Sequence, residues 1–255
     1  MPADIPWFSI CGAVFFAALI QSTTGIGFGL IATPFLLIAL AGPQAVQITV
    51  ILSLGMSVML CVRTYRDCDV KVLRTLIIGG VVGLPFGLAG FLFLDLLWLK
   101  MLAGAVVLLF AISIVWQPVT AATESKPSSP ILLGASILSG AMAVCLAMPG
   151  PAVIGSLREH CESDRSVRST IFAYFVLAYV AAFGLQLGFA DISTETMTET
   201  MWISLILAPA MVIGISAGHI LAPRLSPKQI KVSIVLVLVG TSASLIASTV
   251  REVMS

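Results

Sequence analysis

Long apolar stretches, interrupted by glycine, proline or a few charged side chains, run the length of the chain. They fall near residues 5 to 22, 27 to 41, 44 to 62, 72 to 94 and 98 to 116, and then near 131 to 147, 151 to 157, 168 to 190, 201 to 222 and 229 to 250. Leu, Ile, Val and Ala follow one another at helical length, without the sustained apolar/polar alternation of a membrane barrel. One spanning helix needs about 20 apolar residues. The pattern therefore predicts an all-α polytopic membrane protein with about eight or nine membrane segments and no soluble domain.

Between the two groups of runs lies Gln117 to Pro130, the most polar and proline-rich stretch of the sequence. It divides the chain into a first repeat (1–116), a cytoplasmic linker (117–130) and a second repeat (131–255). Two spacings suggest a duplication, as in many transporters. Gly25 and Pro34 stand nine apart, as do Gly140 and Pro149; Gly83, Gly87 and Lys100 match Gly214, Gly218 and Lys231 at a constant offset of 131.

Charge gives the two halves an expected orientation. If each half made four single crossings in parallel, six Lys and Arg would lie on one side and seven on the other, against the rule that cations gather at the cytoplasmic face. If residues 5 to 41 and 131 to 157 instead enter and return as broken hairpins, eleven of the thirteen cations collect on one side. Lys100 and Arg251 stay opposite, with an acidic loop carrying Asp191, Glu195 and Glu199. The expectation is two inverted repeats, each a broken helical hairpin plus three crossing helices, with both termini periplasmic. The first cation is Arg63, so the N-terminal segment lacks the charged start of a cleaved signal peptide and is expected to be retained.

Composition agrees: of 255 residues, 59% are hydrophobic and 10% charged, where soluble domains carry about 25% charge. The net charge of +1 offers no surplus for nucleic acid, and no nucleic-acid partner is expected. Cys11, Cys61, Cys68, Cys145 and Cys161 form no C-x-x-C pair and read as small hydrophobes or reduced thiols; no metal or cofactor is expected.

The informative residues are those that interrupt the apolar majority. Gln21, Ser22, Thr23 and Thr24 are four consecutive polar side chains, followed by Gly25, Ile26, Gly27, Phe28 and Gly29. Such a run predicts an unwound break lining a cavity, or else close packing between helices. A break starts a half-helix whose first N–H groups are unpaired and whose dipole is positive, which suits an anion, and the Ser and Thr hydroxyls are expected to add neutral donors. Met148, Pro149, Gly150 and Pro151 mark a second break, with Pro151 suited to the first turn of a new helix. Paired breaks in two halves point to a binding site near the bilayer midplane.

Arg158, followed by Glu159 and His160, lies beyond the second break, either as a contact for a bound anion or as a solvated cation. His219 reads as an interfacial or packed residue. Gly79, Gly80, Gly83, Gly87 and Gly90 read as a helix-packing face. Gly25 to Gly29 lacks the G-x-G-x-x-G spacing of a nucleotide loop. No Asp or Glu lies well inside a predicted span, which argues against an intramembrane carboxylate relay. The two histidines are 59 residues apart and no H-E-x-x-H occurs, so no enzyme is expected.

With its two breaks and duplicated organisation, the sequence resembles the TauE/SafE family of sulfite exporters and related anion transporters from about Trp7 to Ser248. The resemblance places the first glycine-rich motif of the family on Thr24, Gly25, Gly27 and Pro34, and the second on Gly140, Pro149, Gly150 and Pro151. Met142 and Val144 depart from the first motif, so the two halves of the site are expected to be chemically unequal. The resemblance implies a permease for a small sulfur-containing anion, sulfite or an organosulfonate such as sulfoacetate, in a bacterial inner membrane. The expected mechanism is a secondary transporter working by alternating access, with the anion between half-helix N-termini. Its expected partners are that anion, the lipid bilayer and a coupling ion; an anion channel and a non-catalytic scaffold are the alternatives.

Overall fold

In a lipid phase the backbone must satisfy its N–H and C=O groups internally, which a helix does along its whole length. The structure, a computed structural model, describes residues 6–25, 28–116, 129–161, 163–221 and 226–254. Among these, all regular structure is helical. The helices are α1 Trp7–Thr24, α2 Phe28–Leu40, α3 Gln44–Thr64, α4 Val70–Phe93, α5 Leu96–Trp116, α6 Ser129–Leu146, α7 Gly150–His160, α8 Asp164–Phe189, α9 Thr194–Leu221 and α10 Pro227–Met254, with one 3-10 turn at Tyr65–Asp67. Among the described residues seven helices are long and apolar enough to cross a membrane, while α2 and α6 are shorter apolar helices.

Most expected boundaries agree to within a few residues. The expected acidic loop is a correction: Glu195 and Glu199 lie in the first turns of α9. Carboxylates there face the positive end of the helix dipole, and the Thr198 and Thr200 hydroxyls donate to carbonyls four residues back, so a polar sequence still winds. Of the expected linker, 117–128 lie outside the described residues and Ser129 and Pro130 open α6.

The chain forms two compact units, each discontinuous in sequence. The first comprises Met1–Thr49, Leu94–Ala121 and Thr194–Ser255, and therefore holds α1, α2, the start of α3, α5, α9 and α10. Inside it α1 lies along α9 and α5 along α10, while α2 folds back on α1, so that Phe8 and Phe16 of α1 line one apolar groove with Ile31 and Phe35 of α2. The second comprises Val50–Phe93 and Ala122–Ser193, and holds the rest of α3 with α4, α6, α7 and α8. Here α4 lies along α6, and α8 packs on α4, α6 and α7.

Glycines set the closest of these approaches. A Cβ at Gly83 would overlap the carbonyl oxygen of Ile137, and one at Gly87 that of Ala141. On α9, a Cβ at Gly214 would overlap the Phe15 carbonyl oxygen, and one at Gly218 would meet the Ser22 hydroxyl and the Leu19 carbonyl. The packing expected of the α4 glycines is present, because small residues let helix backbones touch. Ile137 and Ala141 stand 122 residues after Phe15 and Leu19, so each glycine pair seats the corresponding stretch of a different helix.

One end of the second unit is basic. Ser169 Oγ donates to the Thr64 carbonyl (2.7 Å) and Thr170 Oγ1 accepts from the Asp69 N–H (2.9 Å), tying the α3–α4 turn to the start of α8. Asp69 Oδ1 caps α4 by accepting from the N–H groups of Lys71 and Val72. Arg63, Arg66, Lys71 and Arg74 therefore share an end with Arg165 and Arg168. In the first unit, Ser242 donates to the Gly104 carbonyl and Lys231 to that of Val115, so α5 and α10 run antiparallel. Lys100 is 1% exposed, a buried side chain within α5 rather than a loop cation.

Candidate functional site

The first break is narrower than the polar run that announces it. Helix α1 continues through Thr24, because Ser22 Oγ donates to the Leu19 carbonyl and the Thr23 and Thr24 hydroxyls donate to that of Ile20. These hydroxyl protons are used inside the helix. The hydroxyls expected as neutral donors to an anion thus donate to carbonyls of α1 itself. Ser22 also lies against Gly218 and serves helix packing.

The chain leaves the helix at Gly25, whose φ of 84° is open to glycine at little cost, and its N–H returns to the Gln21 carbonyl (2.7 Å). Ile26 and Gly27 lie outside the described residues. Helix α2 begins at Phe28, and the Gln21 Oε1 accepts the Phe28 N–H at 2.8 Å. One glutamine thus closes both sides of the break, with its carbonyl on the end of α1 and its amide on the start of α2. The Phe28 bond fixes which end of the amide is oxygen. Gln21 is 2% exposed, and its Nε2 has no hydrogen-bond partner. The result is a donor held next to the positive end of a half-helix whose first residues, Phe28, Gly29, Leu30 and Ile31, are buried.

At the second break the helix-reversing residue is Ala147, at a φ of 57°, with its N–H on the Ala143 carbonyl and the Met148 N–H on that of Met142. Met148, Pro149 and Gly150 are buried and Pro151 is half-buried. Pro149 precedes α7 and Pro151 occupies its first turn, as expected of a residue without an N–H. Gly140 lies inside α6, against the Gly80 carbonyl, and so is not the counterpart of Gly25. The residue that reverses the chain as Gly25 does is Ala147, again 122 residues on, and Gly150 follows Phe28 by the same interval. Arg158 falls on α7, and its side chain lies outside the described residues.

Side chains that sequence patterning overlooks hold this second break. Ser139 Oγ donates to the Pro149 carbonyl (2.6 Å) and accepts from the Tyr174 hydroxyl (3.1 Å). The Tyr179 hydroxyl donates to the Ala147 carbonyl (3.2 Å), and Gln186 Nε2 to that of Val144 (2.8 Å). Two α8 side chains, Tyr179 and Gln186, therefore serve carbonyls at the end of the interrupted helix, and a third, Tyr174, reaches the break through Ser139. A signal existed: two of the three tyrosines in the chain and a lone glutamine lie inside one apolar run.

Over residues 10–245 the sequence matches the family described as Sulfite exporter TauE/SafE, a span that begins in α1, ends in α10 and includes both breaks. The chain belongs to the TauE/SafE family. Membership implies anion transport, with sulfite named in the family description, by a multi-pass membrane protein of a transporter rather than an enzyme family. No curated protein and no solved structure matches the chain. Cys161, at the end of α7 and before α8, has its thiol pushed above the ordinary range, chiefly by burial, which favours the protonated thiol.

Proposed function

We propose that this TauE/SafE-family protein is a secondary transporter that moves a small sulfur-containing anion, sulfite or an organosulfonate such as sulfoacetate, across a bacterial inner membrane by alternating access. The anion binds at the first break, on Gln21 Nε2 and the N-terminal N–H groups of α2 that follow the one Phe28 gives to Gln21. One observation carries the assignment: Gln21 is buried, fixed by its bond to Phe28, and has an amide donor with no protein partner. A buried donor left unpaired costs about 1–3 kcal/mol, so its retention beside a positive helix end is consistent with a ligand that supplies the acceptor. Hydrogen bonds to a charged group contribute on the order of 1.5–3 kcal/mol each, which holds an oxyanion without a buried cation and still allows release.

The inverted arrangement of the two repeats, with both termini periplasmic, belongs to the same proposal. It is supported by the glycine pairs of α4 and α9, which seat α6 and α1 at corresponding residues, and by the corresponding breaks at Gly25 and Ala147. A reporter active only in the cytoplasm, fused after Ser255, should stay silent; strong activity overturns the orientation.

The site itself is tested by sulfite flux in proteoliposomes. Gln21→Glu keeps an oxygen for Phe28 N–H and replaces the amide N–H donor with a carboxylate oxygen. Flux at low substrate should fall by roughly 10- to 100-fold, the equivalent of one hydrogen bond to a charged group. Flux within twofold of wild type would remove Gln21 from the site. Saturation and counterflow in the same vesicles are expected of a carrier; linear flux without counterflow would replace it with a channel.

A further inference from the structure

We propose that the second break holds a monovalent metal cation, sodium being the best fit, with Gln186 Oε1 as one of its ligands. The argument starts from an acceptor with nothing to accept. Gln186 is 1% exposed, and its bond from Nε2 to the Val144 carbonyl fixes the amide orientation, leaving Oε1 buried without a hydrogen-bond partner. That oxygen is held beside the C-terminus of α6, where the helix dipole is negative and the chain turns away at Ala147.

Further along this break α8 and α3 of the same unit carry neutral oxygens. The Tyr179 hydroxyl directs its proton to the Ala147 carbonyl and lies beside Ser53 of α3; Ser57, one turn further along α3, is also fully buried with an unpartnered hydroxyl oxygen. Interrupted-helix carbonyls and C-terminal helix ends are the groups that coordinate alkali cations in broken-helix transporters. A divalent ion ordinarily recruits carboxylates, and the stretches that meet at this break, 50–60 of α3, 139–157 of α6 and α7 and 170–189 of α8, contain none. For the same reason a proton has no carboxylate to reside on there. A small monovalent cation satisfies the unpaired oxygen and the dipole together.

Binding of the cation stands independently of the anion reading; its use as the coupling ion rests on that reading. The test uses the purified full-length protein in detergent. Radioactive sodium should bind saturably, at about one ion per chain, and exchanging N-methylglucamine chloride for sodium chloride at constant ionic strength should raise Tm by about 3–6 °C at ten times the dissociation constant. Potassium and lithium arms establish selectivity. Gln186→Leu should abolish the sodium-dependent shift while sulfite still stabilises the protein, and Gln21→Glu should show the reverse. If Gln186→Leu fails to fold, the wild-type measurement decides alone: no saturable sodium binding, or equal Tm in all salts, overturns the proposal and leaves Gln186 Oε1 to a buried water.

Discussion

The two breaks do the same geometric job with different chemistry. At the first, glycine takes the left-handed position and a single glutamine from the interrupted helix closes both ends. At the second, alanine takes that position, Ser139 of the interrupted helix donates across the break, and Tyr179 and Gln186 add hydrogen bonds from α8. A left-handed alanine costs about 1–2 kcal/mol more than a right-handed one, and persists where its surroundings over-determine it. What remains unpaired also differs: a donor at the start of α2 and an acceptor at the end of α6. The two interruptions thus keep opposite residual polarity, the difference on which the two binding proposals rest.

Substitutions can separate the framework from the chemistry. The largest effect is expected at the glycines that seat the two broken helices. Gly87→Ala meets the Ala141 backbone, which cannot step aside, and should destabilise by about 2–3 kcal/mol. Gly218→Ala first meets the Ser22 hydroxyl, which can rotate, and should cost less; thermal unfolding in detergent ranks the pair, and equal losses would remove the distinction between the two seats.

Next comes the external support of the second break. Tyr179→Phe keeps the ring and strips the proton from the Ala147 carbonyl, at an expected cost of about 1–2 kcal/mol. Unchanged stability would mean that Ala147 is held by the backbone alone. The reversing residues themselves come last, with effects no larger than this and of opposite sign. Gly25→Ala should destabilise by about 1–2 kcal/mol, because its φ of 84° is strained for any side chain, whereas Ala147→Gly should be neutral or stabilise by up to about 1 kcal/mol. A loss at both positions would show that conformation is not what distinguishes them.

The existence of the helices and the location of the breaks were legible, because membrane-depth glycine and proline clusters stand out against Leu, Ile, Val and Ala. Their extent was not. Ser22, Thr23 and Thr24 look like helix breakers in sequence, yet a hydroxyl that donates one turn back lets the helix continue in lipid. The equivalence of Gly25 and Ala147 was hidden because a left-handed alanine carries no compositional mark, and Gly140, which does, serves packing instead. Gln186 and Tyr179 act across 42 and 32 residues of sequence, a distance over which local pattern has nothing to say. The buried Lys100 escaped notice for the opposite reason: a single cation near a run end reads as a loop residue.

The pairing of α1 with α9 also sets a schedule for biosynthesis. The least apolar of the seven candidate spans is the first to leave the ribosome, and its partner follows only after about 170 further residues have been made. Until then the face carrying Phe15 and Ser22 has lipid or an insertion factor for company rather than Gly214 and Gly218. The second unit can close as soon as α8 is inserted, since all of its helices precede α9. The half of the molecule that begins first therefore finishes last, and a chain truncated before Thr194 retains every helix of the second unit while leaving the first without its closing partner.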